Sequence, residues 1–141
     1  MTTTSLNLLE ILGIITIHFI ADFICQDEKW AIGKSKNFRD LINHTKIYSL
    51  IWFIFGILII TLFDNTDSVI NYNPGDIVLF TFITFIFHTI TDFFTSKIVS
   101  KKFENKHYGS AIPNFGAFTI IGFDQVLHYI QLFVTYYLLF K

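Results

Sequence analysis

The chain has 141 residues, of which 52% are hydrophobic and 15% are charged, and its formal net charge is -1 at pH 7. An average soluble domain has about 25% charged residues, so this composition is typical of a membrane protein. The absence of a basic excess argues against nucleic acid as a partner. The single cysteine, Cys25, excludes an internal disulfide and a metal site built from several thiolates. We expect one integral membrane domain, residues 1–141.

Four apolar segments are each long enough to cross a hydrocarbon layer about 30 Å thick. They are residues 6–25, 41–63, 77–96 and 118–140. The predicted fold class is therefore all-α, a four-helix transmembrane bundle. The alternative is a soluble helical bundle, which has to accommodate residues 49–63, a stretch with no charge and no polar face.

Basic residues are concentrated in two of the three predicted connections. The first connection contains Lys29, Lys34, Lys36 and Arg39, and the third contains Lys97, Lys101, Lys102 and Lys106. The second connection, residues 64–76, has only acidic charges. The positive-inside rule then predicts a multi-pass protein with cytoplasmic basic connections and both termini outside. The first connection also mixes lysines with aromatic residues, which is typical of a segment lying on a membrane surface.

Two nearly identical motifs lie in the first and third segments, His18-Phe-Ile-Ala-Asp22 and His88-Thr-Ile-Thr-Asp92. A spacing of four residues places both side chains on one face of a helix. The reversed spacing follows each motif, as Asp40 to His44 and as Asp124 to His128. The chain is thus interpreted as two halves, residues 6–63 and 77–140, related by a pseudo-twofold axis along the membrane normal.

The intramembrane histidines and aspartates are predicted to lie in the cytoplasmic half of the bilayer, from the rise of about 1.5 Å per helical residue. A central aspartate costs about 2.5 to 3.5 kcal/mol on insertion scales, so buried carboxylates indicate a function. Three groups could offset the cost of burying these carboxylates: the histidines, Lys97 one turn beyond Asp92, and a bound cation. Glu10 differs, because it lies near the opposite end of the first segment.

Imidazoles and carboxylates suit a divalent metal such as Zn, Fe or Mn, and soluble helical bundles build metal sites from them. The candidate ligands are His18, Asp22, His44, His88, Asp92, Asp124 and His128. Gln26 and Gln125 are expected to orient the ligands. Asp40 has a competing interpretation as the N-cap of the second helix. The alternative to a metal site is a hydrogen-bonded His–Asp network, although such contacts average under about 1 kcal/mol in membranes.

The leading functional hypothesis is a metal-dependent hydrolase that acts on a lipid or lipid-linked substrate. Asp92 or Asp124 would serve as general base, and Lys97 would hold an anionic headgroup. A second hypothesis is transport of protons or a divalent cation, with a homo-oligomer providing the pore. A third is a non-catalytic membrane effector or interaction protein whose polar core only supports folding. Membrane lipids are expected partners in every case.

A family of small bacterial and phage inner-membrane proteins is similar to this chain in the series His18-x-x-Ala-Asp22-Phe23-x-x-Gln26, His44, His88-x-x-x-Asp92 with Lys97, and Asp124-Gln125-x-x-His128. That family is defined only as a domain of unknown function. The resemblance spans nearly the whole chain and implies a four-helix protein of the bacterial inner membrane whose polar residues form the family signature. It implies no particular activity, and Asp40 lies outside its pattern.

Overall fold

The computed structural model describes residues 5–63, 73–107 and 116–141. All regular secondary structure in these residues is helical and they contain no strand, which confirms the all-α prediction. The α-helices are α1 (Leu8–Phe19), α2 (Glu28–Gly33), α3 (Phe38–Phe63), α4 (Pro74–Glu104) and α5 (Ala117–Phe140). A π-helical segment, Ile20–Ile24, follows α1 directly.

The first helix begins at Leu8 rather than at residue 6, because Asn7 and Glu10 form a capping box. The Glu10 N–H donates to Asn7 Oδ1 at 2.9 Å, and the Asn7 N–H donates to Glu10 Oε2 at 2.8 Å. These two bonds satisfy backbone groups that the helix itself leaves unpaired.

The third predicted segment, residues 77–96, is too short, because α4 runs from Pro74 to Glu104. Asn73 caps its start by accepting a hydrogen bond from the Gly75 N–H at 2.9 Å, and proline is well tolerated in a first turn. Of the predicted acidic loop at 64–76, residues 74–76 thus belong to α4, and residues 64–72 lie outside the described residues.

Three of the described helices are long and apolar enough to cross a membrane: Phe38–Thr61, Pro74–Glu104 and Ala117–Phe140. The first predicted segment is divided between α1, of 12 residues, and the π-helical segment, of 5 residues. Neither piece reaches a spanning length, so the four-span arrangement remains a prediction. The long helices expose large apolar side chains, among them Phe82, Phe94 and Ile130, as expected for a surface against lipid.

The bundle has an apolar half and a polar half. Helix α4 packs between α3 and α5, and α1 contacts α3 and α5. An apolar layer joins these helices and contains Ile14, Ile17, Trp52, Phe80 and Leu132. On each helix the buried histidines and aspartates lie on the other side of this layer, toward the ends of the π-helical segment and α4 and the beginnings of α3 and α5. Because neighbouring elements run in opposite directions, the ionisable groups of all four lie at the same end of the bundle.

The two copies of the repeated motif differ in local structure. The first copy passes from α1 into the π-helical segment, where the Cys25 N–H donates to the Ile20 carbonyl five residues earlier. The second copy lies within the continuous helix α4. The backbone hydrogen-bond register at Asp22 therefore differs from that at Asp92. The predicted repeat symmetry is therefore not confirmed at this level.

Candidate functional site

Six buried side chains from four helical elements form a single group at the polar end, which we call the His–Asp cluster. Each of these side chains belongs to a residue that is at most 8% exposed. The members are Asp22, His44, His88, Asp92, Asp124 and His128. Burial of three carboxylates among three imidazoles makes this the most polar part of the described core.

His44, on α3, connects the two repeated motifs. Its Nε2 lies 3.0 Å from His88 Nε2, 3.0 Å from Asp92 Oδ2 and 3.2 Å from Asp22 Oδ1. The two residues of the motif on α4 lie further apart, with 3.5 Å between His88 Nε2 and Asp92 Oδ2. The short contacts thus run between helices, whereas the four-residue spacing only brings the groups to the same level.

His128, on α5, extends the cluster toward Asp124. Its Nε2 lies 3.4 Å from Asp124 Oδ1 and 3.5 Å from Asp92 Oδ1. Its ring stacks on that of His88 with 4.1 Å between the centroids. Thr95 donates its hydroxyl to Asp124 Oδ1 at 2.7 Å and so fixes that carboxylate.

His18 lies beside the cluster and has both ring nitrogens in hydrogen bonds. Its Nε2 is 2.7 Å from Gln125 Oε1, and its Nδ1 is 2.8 Å from the Tyr48 hydroxyl. A neutral imidazole with Nε2–H as donor and Nδ1 as acceptor satisfies both contacts. The Gln125 amide nitrogen in turn donates to Asp22 at 3.2 Å and to Asp124 at 3.3 Å. His18 and Gln125 therefore orient the carboxylates, the role predicted for Gln125 but not for His18.

Lys34, rather than Lys97, supplies the ammonium group at the cluster. Lys34 Nζ is 2.8 Å from Asp92 Oδ2, and its side chain is only 16% exposed. Lys97 is exposed, and its Nζ lies 3.3 Å from the centre of the Phe93 ring, away from the carboxylates. Burial alone would lower the pKa of Lys34, but the carboxylates of Asp92 and Asp22 raise it above its ordinary value. Lys34 lies in a connection without helical periodicity, so no sequence pattern pointed to it.

Asp40 lies outside the cluster. It is in the first turn of α3, so the N-cap interpretation is wrong. Asn37 fills that role, since its Oδ1 accepts from the Arg39 N–H at 2.9 Å. The Asp40 carboxylate instead packs against the backbone of Gly33, immediately before Lys34.

Glu10 also lies away from the cluster, at the apolar end. Its carboxylate accepts from the Tyr136 hydroxyl at 3.1 Å and pairs with Lys141 at 2.6 Å. Its separation from the other acidic side chains agrees with the sequence analysis, which set Glu10 apart from the candidate ligands.

The His–Asp cluster has the donor set and the spacing of a metal site. Three overlapping groups each present ligand atoms within 4.8 Å of one another: Asp22, His44 and His88; His88, Asp92 and His128; Asp22, Asp124 and His128. Ligands about 2.0 to 2.2 Å from one ion are about 3 to 3.5 Å from each other. The measured contacts of 3.0 to 3.6 Å fall close to this range. Because the groups share members, the cluster suits one central ion or two close ions.

Several candidate ligand atoms lack a satisfactory partner among the described residues. Asp22 Oδ1, Asp92 Oδ1 and His128 Nε2 are buried and make no directed hydrogen bond there. Buried polar atoms are normally paired, since an unpaired one costs about 1 to 3 kcal/mol. The three carboxylates also face one ammonium, that of Lys34, and three imidazoles that can each be neutral or protonated. A divalent cation would supply a partner for the orphaned atoms.

A cavity of about 420 Å³ reaches the cluster from the side of α2. Asp22 and Asp92 form part of its wall, together with Lys34, Gln26 and Ser96. The rest of the wall is largely apolar and includes Phe23, Ile32, Val99, Phe103 and Ile121. Gln26 is thus beside the cluster as predicted, although its Oε1 has no hydrogen bond to the described residues. The cavity therefore places polar and apolar wall residues next to two buried carboxylates.

Residues 11–141 match a family described as a protein of unknown function, DUF3307. The chain belongs to this family. The match includes both repeated motifs and all six members of the cluster, and it confirms the resemblance to a domain of unknown function. A search of curated proteins and a search of solved structures each find no match.

Proposed function

We propose that this DUF3307 protein is a membrane-embedded, metal-dependent hydrolase that acts on a lipid or lipid-linked substrate. The observation that carries the proposal is the convergence of buried imidazole and carboxylate ligand atoms beside a cavity whose wall includes Asp22 and Asp92. A metal enzyme needs ligand atoms that converge and a substrate that can reach them.

The cluster residues would hold a divalent ion of the Zn, Fe or Mn type. Such an ion supplies an activated water and polarises a carbonyl or phosphoryl group. Asp124, fixed by Thr95 and Gln125, is suited to accept a proton from the attacking water. Asp92 is better suited to bind the ion, because all three imidazoles of the cluster surround its carboxylate. His18 and Tyr48 keep Gln125 in place.

We further propose that the protein lies in the bacterial inner membrane with the cluster toward the cytoplasm. The basic connection that contains Lys34 and the lysine-rich end of α4 lie at the same end of the bundle as the cluster. By the positive-inside rule this end is cytoplasmic and both termini are outside.

Proton or cation transport is the second candidate. It is favoured by a short polar series beyond the cluster, in which Gln131 donates to Thr84 at 3.3 Å and to Thr135 at 3.1 Å. The apolar layer that contains Trp52 and Leu132 lies in the same half and opposes a continuous path. Flux in proteoliposomes with a pH-sensitive or metal-sensitive dye distinguishes the two candidates, because the hydrolase should carry none.

The first test is elemental analysis of the purified protein after dialysis against Zn²⁺ and, separately, Mn²⁺. The proposal expects one or two ions per chain, a loss of most of this metal in His88→Ala, and full retention in His107→Ala. His107 is a matched control because it is exposed and outside the cluster. A folded wild type that takes up no metal under either condition refutes the proposal.

A further inference from the structure

The wall of the cavity beside the cluster combines three kinds of chemistry. Asp22 and Asp92 present the candidate metal ligands on one side. Lys34 and Lys36 bring two basic groups from the connection after α2. Ser96, a residue only 8% exposed, contributes a hydroxyl that has no hydrogen bond to the described residues. The two ammonium groups and this hydroxyl suit a ligand group that carries negative charge and several hydrogen-bond acceptors.

The apolar part of the wall adds a second requirement. Phe23, Ile32, Val99 and Phe103 line the same cavity, and Phe23 and Ile32 are also exposed on the outer surface of the bundle. An anion such as free phosphate would leave this surface in contact with water only. A chain of apolar atoms attached to the anion would cover it, at a gain of about 25 cal/mol per Å² buried.

Lys34 connects the anion site to the metal site. Without a metal its ammonium is paired with Asp92 at 2.8 Å. Asp92 belongs to one of the metal-binding groups, so an ion bound there competes with Lys34 for the same carboxylate. The ammonium, already in the cavity wall, then has no carboxylate partner and is free to bind an incoming anion. Metal and anion should consequently bind cooperatively, each raising the affinity for the other.

We infer that this cavity binds the phosphate group of an amphiphile, with Lys34 and Ser96 contacting the phosphate oxygens and the apolar wall contacting the attached chain. The inference rests on the proposed function, since it is the metal that frees Lys34 and offsets the negative charge of the carboxylates. It narrows the substrate class from any lipid-linked molecule to one with a phosphate ester.

The test is calorimetric titration of the Zn²⁺-loaded protein in a phosphate-free detergent with three probes: dioctanoyl phosphatidic acid, dioctanoylglycerol and inorganic phosphate. We expect phosphatidic acid to bind at least about tenfold more tightly than either other probe, because it alone satisfies both parts of the wall. Lys34→Gln should lower its affinity at least about tenfold, and Ser96→Ala about threefold. Lys29→Gln is the matched control, because Lys29 is an exposed lysine in α2, just before Lys34 in the chain, and it should have no effect.

The possible outcomes separate the two proposals, because the Zn²⁺ content of every sample is measured independently. Equal binding of phosphatidic acid and dioctanoylglycerol, or undiminished binding by a folded, Zn²⁺-loaded Lys34→Gln protein, overturns the phosphate site and leaves the metal site intact. Inorganic phosphate binding as tightly as phosphatidic acid overturns the role of the apolar wall. A wild type that takes up no Zn²⁺ refutes the metal chemistry instead, whatever it does with the lipid.

Discussion

The contact between Lys34 and Asp92 allows a quantitative test of the cluster in the metal-free protein. Its atoms are 2.8 Å apart, with side chains 16% and 1% exposed. Coulomb's law with an effective dielectric constant of about 20 gives about 6 kcal/mol at that distance. Partial exposure of the ammonium weakens the attraction, so we expect a coupling free energy of about 2 to 4 kcal/mol.

The coupling is obtained from a double-mutant cycle with Asp92→Asn, Lys34→Gln and the double variant. The free energy of unfolding would be measured in mixed detergent micelles from tryptophan fluorescence, for which Trp52 is a suitable reporter at 5% exposure. The same cycle with Lys29 in place of Lys34 is the control and should be additive, because Lys29 is exposed. A Lys34 coupling below about 0.5 kcal/mol, within the error of additivity, would refute the ion pair and with it the proposed competition for Asp92.

Two further tests concern the surroundings of the cluster. Gly33→Ala places a Cβ against the Asp40 carboxylate, so it should destabilise the protein by about 1 to 3 kcal/mol, measured by the same unfolding assay. Gly13→Ala, where a Cβ meets open space, should be neutral or stabilising, and equal effects of the two would contradict the packing described. Tyr48→Phe removes the hydroxyl bonded to His18 and should cost about 1 to 2 kcal/mol while the metal content is retained. Loss of metal in this variant would instead place Tyr48 among the groups that bind the ion directly.

The sequence alone predicted the all-α fold class and the gathering of the ionisable side chains at one end of the bundle. Apolar runs of spanning length predicted α3, α4 and α5, because helix length and hydropathy are local properties. Counting residues from the basic connections predicted that His44, His88 and His128 lie at a similar level. That prediction needs only the helical rise and the alternation of direction. Helix ends were less well predicted, since they depend on caps such as Asn7 and Asn73.

Tertiary structure decided which of these groups meet and which do not. The spacing of His18 and Asp22 predicted a shared face, and His18 Nε2 does lie 3.9 Å from Asp22 Oδ2, but the shorter contacts of Asp22 are with His44 and those of His18 are with Gln125 and Tyr48. Proximity in sequence favoured Lys97 as the cationic partner of Asp92, whereas in the structure Lys34, just after α2, binds this carboxylate. Periodicity reports the depth and the face of a residue on its own helix. The rotation of one helix against another and the path of a connection depend on packing between distant segments, and the sequence pattern carries no record of them.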